Sequence, residues 1–215
     1  MTYQRVGERR RQLVAVARKV LTERGTGATS TRTLAAEAGV PLSTLHYVFG
    51  SRDELWRAVL EDVTADLSAL VRRSIGPGMS FAEAVEATYR DFWASIEHCP
   101  EQELMSLELF VDARRRDSGR DLARWQYERY AADCAEAFTA VLEHSQERLA
   151  QPLGDVVSLM LALSDGMIIQ YLADGDRERS HRLLEHAIDA VVRFAAPEKE
   201  VPAHRVRALR GVRQP

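Results

Sequence analysis

The chain has 215 residues, 46% hydrophobic and 28% charged, which is ordinary for a globular protein and enough to build a core without disulfides or a structural metal. Its net charge of −3 is unevenly divided: residues 1–52 carry nine Lys/Arg against three acids, +6, and the remainder carries 20 basic against 29 acidic side chains, −9. A basic head on an acidic body concentrates attraction for phosphate at one end, although the overall charge alone argues against nucleic acid.

Almost every segment reads as helix, with no sustained alternation and no Asn-Gly hairpin turn to indicate strands. Between Arg9 and Arg24, Leu13, Val16, Ala17, Val20 and Leu21 recur in helical steps as one buried stripe, and Gly25 and Gly27 end the run. The hydroxyls of Thr29, Ser30 and Thr31 suit the cap of a short helix from about Thr31 to Ala38. Gly39-Val40-Pro41 breaks it, a second short helix runs from about Leu42 to Val48, and Phe49-Gly50 breaks again. Ser51 and Glu54 have the spacing of a reciprocal capping box opening a helix that reaches about Arg73. Five more helices are expected: about Ser80–His98, Glu101–Arg116, Gly119–Leu149, Pro152–Ala173 and Arg177–Ala195. No secretory signal opens the chain, and Val156–Leu172, the most apolar stretch, is interrupted by Ser158, Ser164, Asp165, Gly166 and Gln170, short of a clean membrane span. With Cys99 and Cys134 reading as reduced thiols, the expectation is a cytoplasmic protein without membrane attachment.

The informative segment is Thr31–Phe49, TRTLAAEAGVPLSTLHYVF. Two helices of about two turns flank a turn centred on Gly39, where glycine allows the sharp reversal of a helix-turn-helix. Ala35 and Ala38 allow close approach, and Leu34, Val40, Leu45 and Phe49 form a small core with Leu13 and Ala17. The second helix of such a unit lies in the major groove while its neighbours hold phosphates.

The longer run TRTLAAEAGVPLSTLHYVFGSRDELWRAVL resembles the TetR family of bacterial transcriptional regulators, the similarity extending from about Arg9 to Leu60. Ser164-Asp165-Gly166 through Asp174 resembles the eighth helix of many members. His46 stands where the family most often has Tyr, and Pro41 where a capping Ser or Thr is common. The resemblance implies an all-α protein of about nine helices, divided into a helix-turn-helix DNA-binding domain (1–52), a helical ligand-binding and dimerisation domain (53–196) and a polar tail (197–215). It also assigns roles. Thr31 and Arg32 sit where members contact phosphates, Leu42, Ser43, Thr44, His46 and Tyr47 lie on or near the exposed face of the recognition helix, and Arg52 clamps a phosphate at a helix N-terminus. The implied function is a dimeric repressor on a near-palindromic double-stranded operator, released by a small-molecule effector, with no cofactor or metal.

Residues 153–172 are apolar on more than one face, so a second side is left for a partner, together with Ile188, Val191 and Val192 of the last helix. Aromatic and soft side chains concentrate in the middle helices, where a pocket is expected from Tyr89, Trp93, Met105, Trp125 and Tyr130, with Glu108, Asp165 and Gln170 as its polar groups. No nucleophile motif, metal-ligand spacing or glycine-rich phosphate loop points to an enzyme, and a helical adaptor, the other class considered, needs no basic head.

Overall fold

The computed structural model describes residues 2–115 and 120–196, and among them finds nine α-helices and no strand. They are α1 (Thr2–Arg24), α2 (Thr31–Glu37), α3 (Leu42–Phe49), α4 (Arg52–Ser74), α5 (Phe81–His98), α6 (Pro100–Arg115), α7 (Arg120–Ser145), α8 (Leu153–Asp174) and α9 (Arg177–Ala195). The arginine-rich tail beyond Ala196 lies outside the described residues.

Two hydrophobic cores organise the chain. The first gathers Leu13, Ala17 and Leu21 of α1, Leu34 of α2, and Leu45 and Phe49 of α3, as the helical spacing requires. It does not stop at residue 52. Leu55 through Val63 of α4, Met105, Leu109 and Ala113 of α6, and Leu122 of α7 belong to the same cluster. A three-helix head has too little volume to bury both faces of its long helices, and α4 and α6 supply the missing wall. The second core joins α4, α5, α7, α8 and α9 around Phe81, Trp93, Phe138, Tyr171 and Val191.

Local chemistry sets the helix ends. Ser51 caps α4 by accepting the Glu54 N–H at 3.1 Å, but the expected return bond is missing. The Ser51 N–H already donates to the Phe49 carbonyl at 2.7 Å, and the Glu54 carboxylate lies 3.8 Å from Arg57 instead. A full capping box occurs at Ser80 and Glu83, at the start of α5. α7 ends at Ser145, short of the expected Leu149. Glu147 is recruited there to accept the Phe81 N–H at 2.6 Å, and Ala150 N–H bonds the Ala195 carbonyl at 2.9 Å. These contacts pull the chain off the helix axis.

α8 is long and apolar enough to cross a membrane by length and composition, against the expectation from its polar interruptions. Its packing is that of a core helix on one side only. Val156, Val157, Met160, Met167, Ile168 and Tyr171 are buried, whereas on the other side Ala162 and Ile169 are exposed, Gly166 is half-buried, and Leu159 and Leu163 are half-buried at the core's edge. On α9, Ile188 and Val191 point into their own subunit's core and Val192 packs against it. Of the apolar α9 side chains, Ala190 and Phe194 are exposed and Leu183 is half-buried at the edge of the same core. They sit on the flank of the buried stripe, at the i, i+7 and i+11 positions of the helix.

Candidate DNA-reading surface and ligand cavity

α3 is amphipathic at the scale of two turns. Leu45 and Phe49, four residues apart, face inward, and Ser43, His46 and Tyr47 face solvent, with Tyr47 80% exposed. Leu42 and Thr44 are half-buried at the edges, and Leu42 packs against the head core. A tyrosine bared to this extent buries nothing in its own subunit, so its place on the helix is not explained by folding. Gly39 takes φ +64 in the turn between α2 and α3, a left-handed conformation that a side chain would strain. Pro41 precedes α3 and offers no side-chain cap, which leaves that helix end open to an outside acceptor.

The flanking cations are placed to help. Ser30 caps α2 through the Thr33 N–H at 3.1 Å, Thr31 is half-buried, and Arg32 is exposed. The Arg52 guanidinium lies 4.9 Å from the Trp56 ring centroid, and its Nε has no hydrogen-bond partner among the described residues. Stacking on an aromatic holds an arginine in place without neutralising it. The Arg24 guanidinium is instead tied to Glu37.

Below the head, a cavity of about 420 Å³ opens between the helices. α4 contributes Val63, Leu67 and Leu70, α5 Thr88, Tyr89 and Phe92, α7 Tyr130 and Cys134, and α8 Met160, Ser164 and Asp165. A smaller cavity of about 50 Å³ shares Glu103, Tyr130, Asp165 and Ile168 with it and is closed by Ser106, Phe110, Gln126 and Tyr127. The combined volume lies in the range of small-molecule sites.

Three of the eight residues expected at the pocket, Tyr89, Tyr130 and Asp165, line it. The other five lie elsewhere. Trp93 is buried in the body core, edge-on to Tyr171 at 5.4 Å. Met105 lies in the head core and Trp125 packs against it, because that face of α6 and α7 closes the head. Glu108 accepts the Thr26 N–H at 2.6 Å. The Gln170 side chain is exposed, and the residue's backbone carbonyl accepts from Arg179.

Glu103 was not anticipated. It occupies the first position of the run Glu103, Ser106, Leu107, Phe110, and a carboxylate inside such a helical stripe is the signal that could have found it. Burial and the nearby Asp165 charge push the Glu103 carboxyl up to about 7, against the opposing pull of Arg18. Burial also raises Asp165, while the Tyr127 hydroxyl, donating at 2.8 Å, works in the other direction. Burial, and less so Asp133, push the Cys134 thiol up to about 11, so it lines the wall as an unreactive thiol. The Tyr89 hydroxyl donates to the Met160 carbonyl at 3.1 Å.

One polar cluster joins this cavity to the head, and a second contact ties α6 to α1 outside it. Arg18 of α1 lines the cavity and reaches Asp62 at 2.8 Å and Asp66 at 2.6 Å on α4, and Gln102 at 2.8 Å on α6. Glu108 of α6 holds the end of α1 through Thr26, with its carboxylate against Gly25. A Cβ at Gly25 would stand 3.2 Å from that carboxylate, and the residue's φ of +74 already calls for glycine.

The comparisons with known proteins follow this division. A family model for bacterial regulatory proteins of the tetR family matches residues 13–59, and one for the tetracyclin repressor-like C-terminal domain matches residues 80–194. The chain is 27% identical to HdnoR, the nicotine-responsive transcriptional repressor of Paenarthrobacter nicotinovorans, over 85% of this chain and 93% of that one. It is 24% identical to the transcriptional regulator BetI of Brucella suis biovar 1, over 78% of this chain and 82% of BetI. The solved structure of the multidrug binding protein EbrR with imidazole shares the fold at a TM-score of 0.66 and 22% identity, covering 89% of this chain and 97% of EbrR. A TetR transcription regulator from Haloarcula marismortui does so at 0.69 and 16%, covering 88% and 97%. With the C-terminal match alone spanning more than half of the residues, and the helix-turn-helix match preceding it, the chain belongs to the TetR family of bacterial transcriptional regulators.

Proposed function

We propose that two copies of this chain bind a near-palindromic operator as a homodimer, in the cytoplasm where the DNA lies, and that a small organic effector in the 420 Å³ cavity releases them. The observation that carries the DNA half of this reading is the solvent face of α3, with Ser43, His46 and Tyr47 bare beside Arg52, which is stacked on Trp56. Base edges are read by Ser43, His46 and Tyr47, with Leu42 and Thr44 at the margins, and Thr31, Arg32 and Arg52 hold phosphates. Residues 1–52 carry the reading surface, residues 53–196 carry the effector and the dimer contact, and the tail from 197 to 215 has no assigned role.

The outward face of α8, from Leu159 to Ile169, is the natural dimer contact, with Leu183 and Phe194 of α9 beside it. A Cβ at Gly166 would meet open space, so a partner helix can approach closely there. HdnoR responds to nicotine by its name, and EbrR has been solved with imidazole and with ethidium. A small organic effector for this chain is the corresponding reading. Release follows if the effector favours an arrangement in which α4 and α6, both tied to Arg18, shift the reading heads apart, since a ligand that binds both forms equally shifts nothing.

The test is fluorescence anisotropy with duplexes from the DNA flanking the gene, across a salt series. If each subunit neutralises three or four phosphates, log K falls against log salt with a slope of about −5 to −7. Tyr47→Ala is expected to weaken operator binding by about tenfold or more without lowering Tm. Ile169→Asp is expected to give monomers in sedimentation and to lose operator binding with them. Binding to no fragment at micromolar protein, or binding indifferent to salt, overturns the reading.

A further inference from the structure

We propose that the effector is an organic cation, an amine or quaternary ammonium whose head sits between Glu103 and Asp165 against the rings of Tyr127, Tyr130 and Phe110. The proposal rests on the cavity being the effector site and names what that site selects.

Two carboxylates from different helices, Glu103 on α6 and Asp165 on α8, share the walls of both cavities. The Tyr127 hydroxyl satisfies one oxygen of Asp165, and no hydrogen bond meets Glu103 among the described residues. Burying carboxylates without a counter-charge is costly, and here the cost falls on a place with room for a ligand. Arg18 from α1 is the nearest cation, but its guanidinium is already shared among Asp62, Asp66 and Gln102. His98 of α5 and Arg73 of α4 border the larger cavity at exposed positions, and Arg73 stands seven residues, about 10 Å, along α4 from Asp66.

The uncharged groups point the same way. Gln126 is only 4% exposed; its Nε2 donates to the Tyr130 hydroxyl at 2.8 Å, which leaves Oε1 buried without a partner. Ser106 is 7% exposed and its Oγ is unpaired as well. The smaller cavity therefore offers unused acceptors and no unspent cationic donor. Its aromatic wall is a perpendicular series, Phe110 to Tyr127 at 5.5 Å and Tyr127 to Tyr130 at 6.1 Å between centroids. Ring faces attract cations through their quadrupole, most strongly where water is excluded. An anionic ligand would meet two carboxylates and a bare carbonyl oxygen at the same place.

The test uses a matched set on the full chain: benzyltrimethylammonium, its uncharged carbon isostere neopentylbenzene, and benzoate. Isothermal titration and tryptophan fluorescence are expected to show the cation binding at least about tenfold tighter than the isostere, with benzoate weakest. Glu103→Gln and Asp165→Asn are each expected to remove about that factor for the cation and to leave the isostere unchanged. A permanent cation beside Glu103 must also expel its proton. Near pH 7, titrations in buffers of different ionisation heat are expected to show release of about half a proton per subunit, absent in Glu103→Gln, and affinity rises between pH 6 and pH 8. Equal or tighter binding of the isostere, or cation binding untouched by either variant, overturns the charge selectivity and leaves the cavity as effector site standing. Failure of all three probes to bind at millimolar concentration overturns both. If one variant fails to fold, the other variant and the comparison of cation with isostere in the unmodified chain still decide.

Discussion

The core beneath the reading head and the core of the body treat volume in opposite ways. In the head, α1, α2, α3, the first half of α4 and one face of α6 close completely, and Leu21, Leu34, Leu45, Leu55 and Leu60 are all but inaccessible. In the body, the same α4 runs on past Val63 along a 420 Å³ opening whose wall includes Thr88, with its buried Oγ1 left without a partner. A reading helix works only if its side chains stay in register with base edges, so its support is packed to the limit. For the effector site proposed for this opening, unfilled space and unpaired polar groups mean that part of the body's stability is supplied by whatever binds there. The two demands meet on α4, which is core in the head and wall in the body, and on Arg18, which bonds α4 and α6 from α1.

The largest test of this contrast is a pair of leucines. Leu34→Ala in the closed head, where the side chain is 1% exposed, is expected to cost about 3 kcal/mol in urea unfolding, because a new hole forms in packed surroundings. Leu161→Ala on the cavity wall enlarges an existing space and is expected to cost about 1 kcal/mol. Equal costs would dissolve the distinction. A second test uses pH. Glu103 binds its proton more tightly folded than unfolded, so its contribution to stability is greatest at acid pH and is lost as pH rises from about 4.5 to about 7. The loss is on the order of 2 kcal/mol, discounted because the carboxylate partly faces the opening. Glu103→Gln should flatten that part of the slope in thermal melts, leaving the smaller part due to Asp165, and an unchanged slope would place the stored cost elsewhere. The smallest expected effect sharpens the junction. Gly25→Ala strains a left-handed residue and crowds the Glu108 carboxylate, for about 1 kcal/mol of stability. Operator affinity measured alongside is expected to fall while effector binding stays put.

The reading surface was legible in the sequence because its signals are local. The positive φ at Gly39, the inward pair Leu45 and Phe49, and the outward Ser43, His46 and Tyr47 follow from spacing within twenty residues. The order of the helices was legible for the same reason; α1 starts at Thr2, seven residues ahead of the Arg9–Arg24 stripe, and α7 stops early where Glu147 turns to the distant Phe81. The chamber was not, because it depends on which way helices turn after they pack. Met105 and Trp125 have the composition of a pocket and serve the head, since α6 offers one face to each core. Trp93 is edge-on to Tyr171 rather than facing the opening. The apolar second face of α8 is visible as composition, whereas Ile188 and Val191, expected at the partner contact, are taken up by the core of their own subunit.

The shared first core has a practical corollary for anyone splicing regulators together. A cassette cut at residue 52 would carry Leu34 and Leu45 to a host whose sixth helix presents other side chains where Met105, Leu109 and Ala113 belong. Such a hybrid exposes the underside of its own reading unit, and the graft that keeps it covered takes those three positions, Leu122 and the α4 run from Leu55 to Val63 along with the cassette.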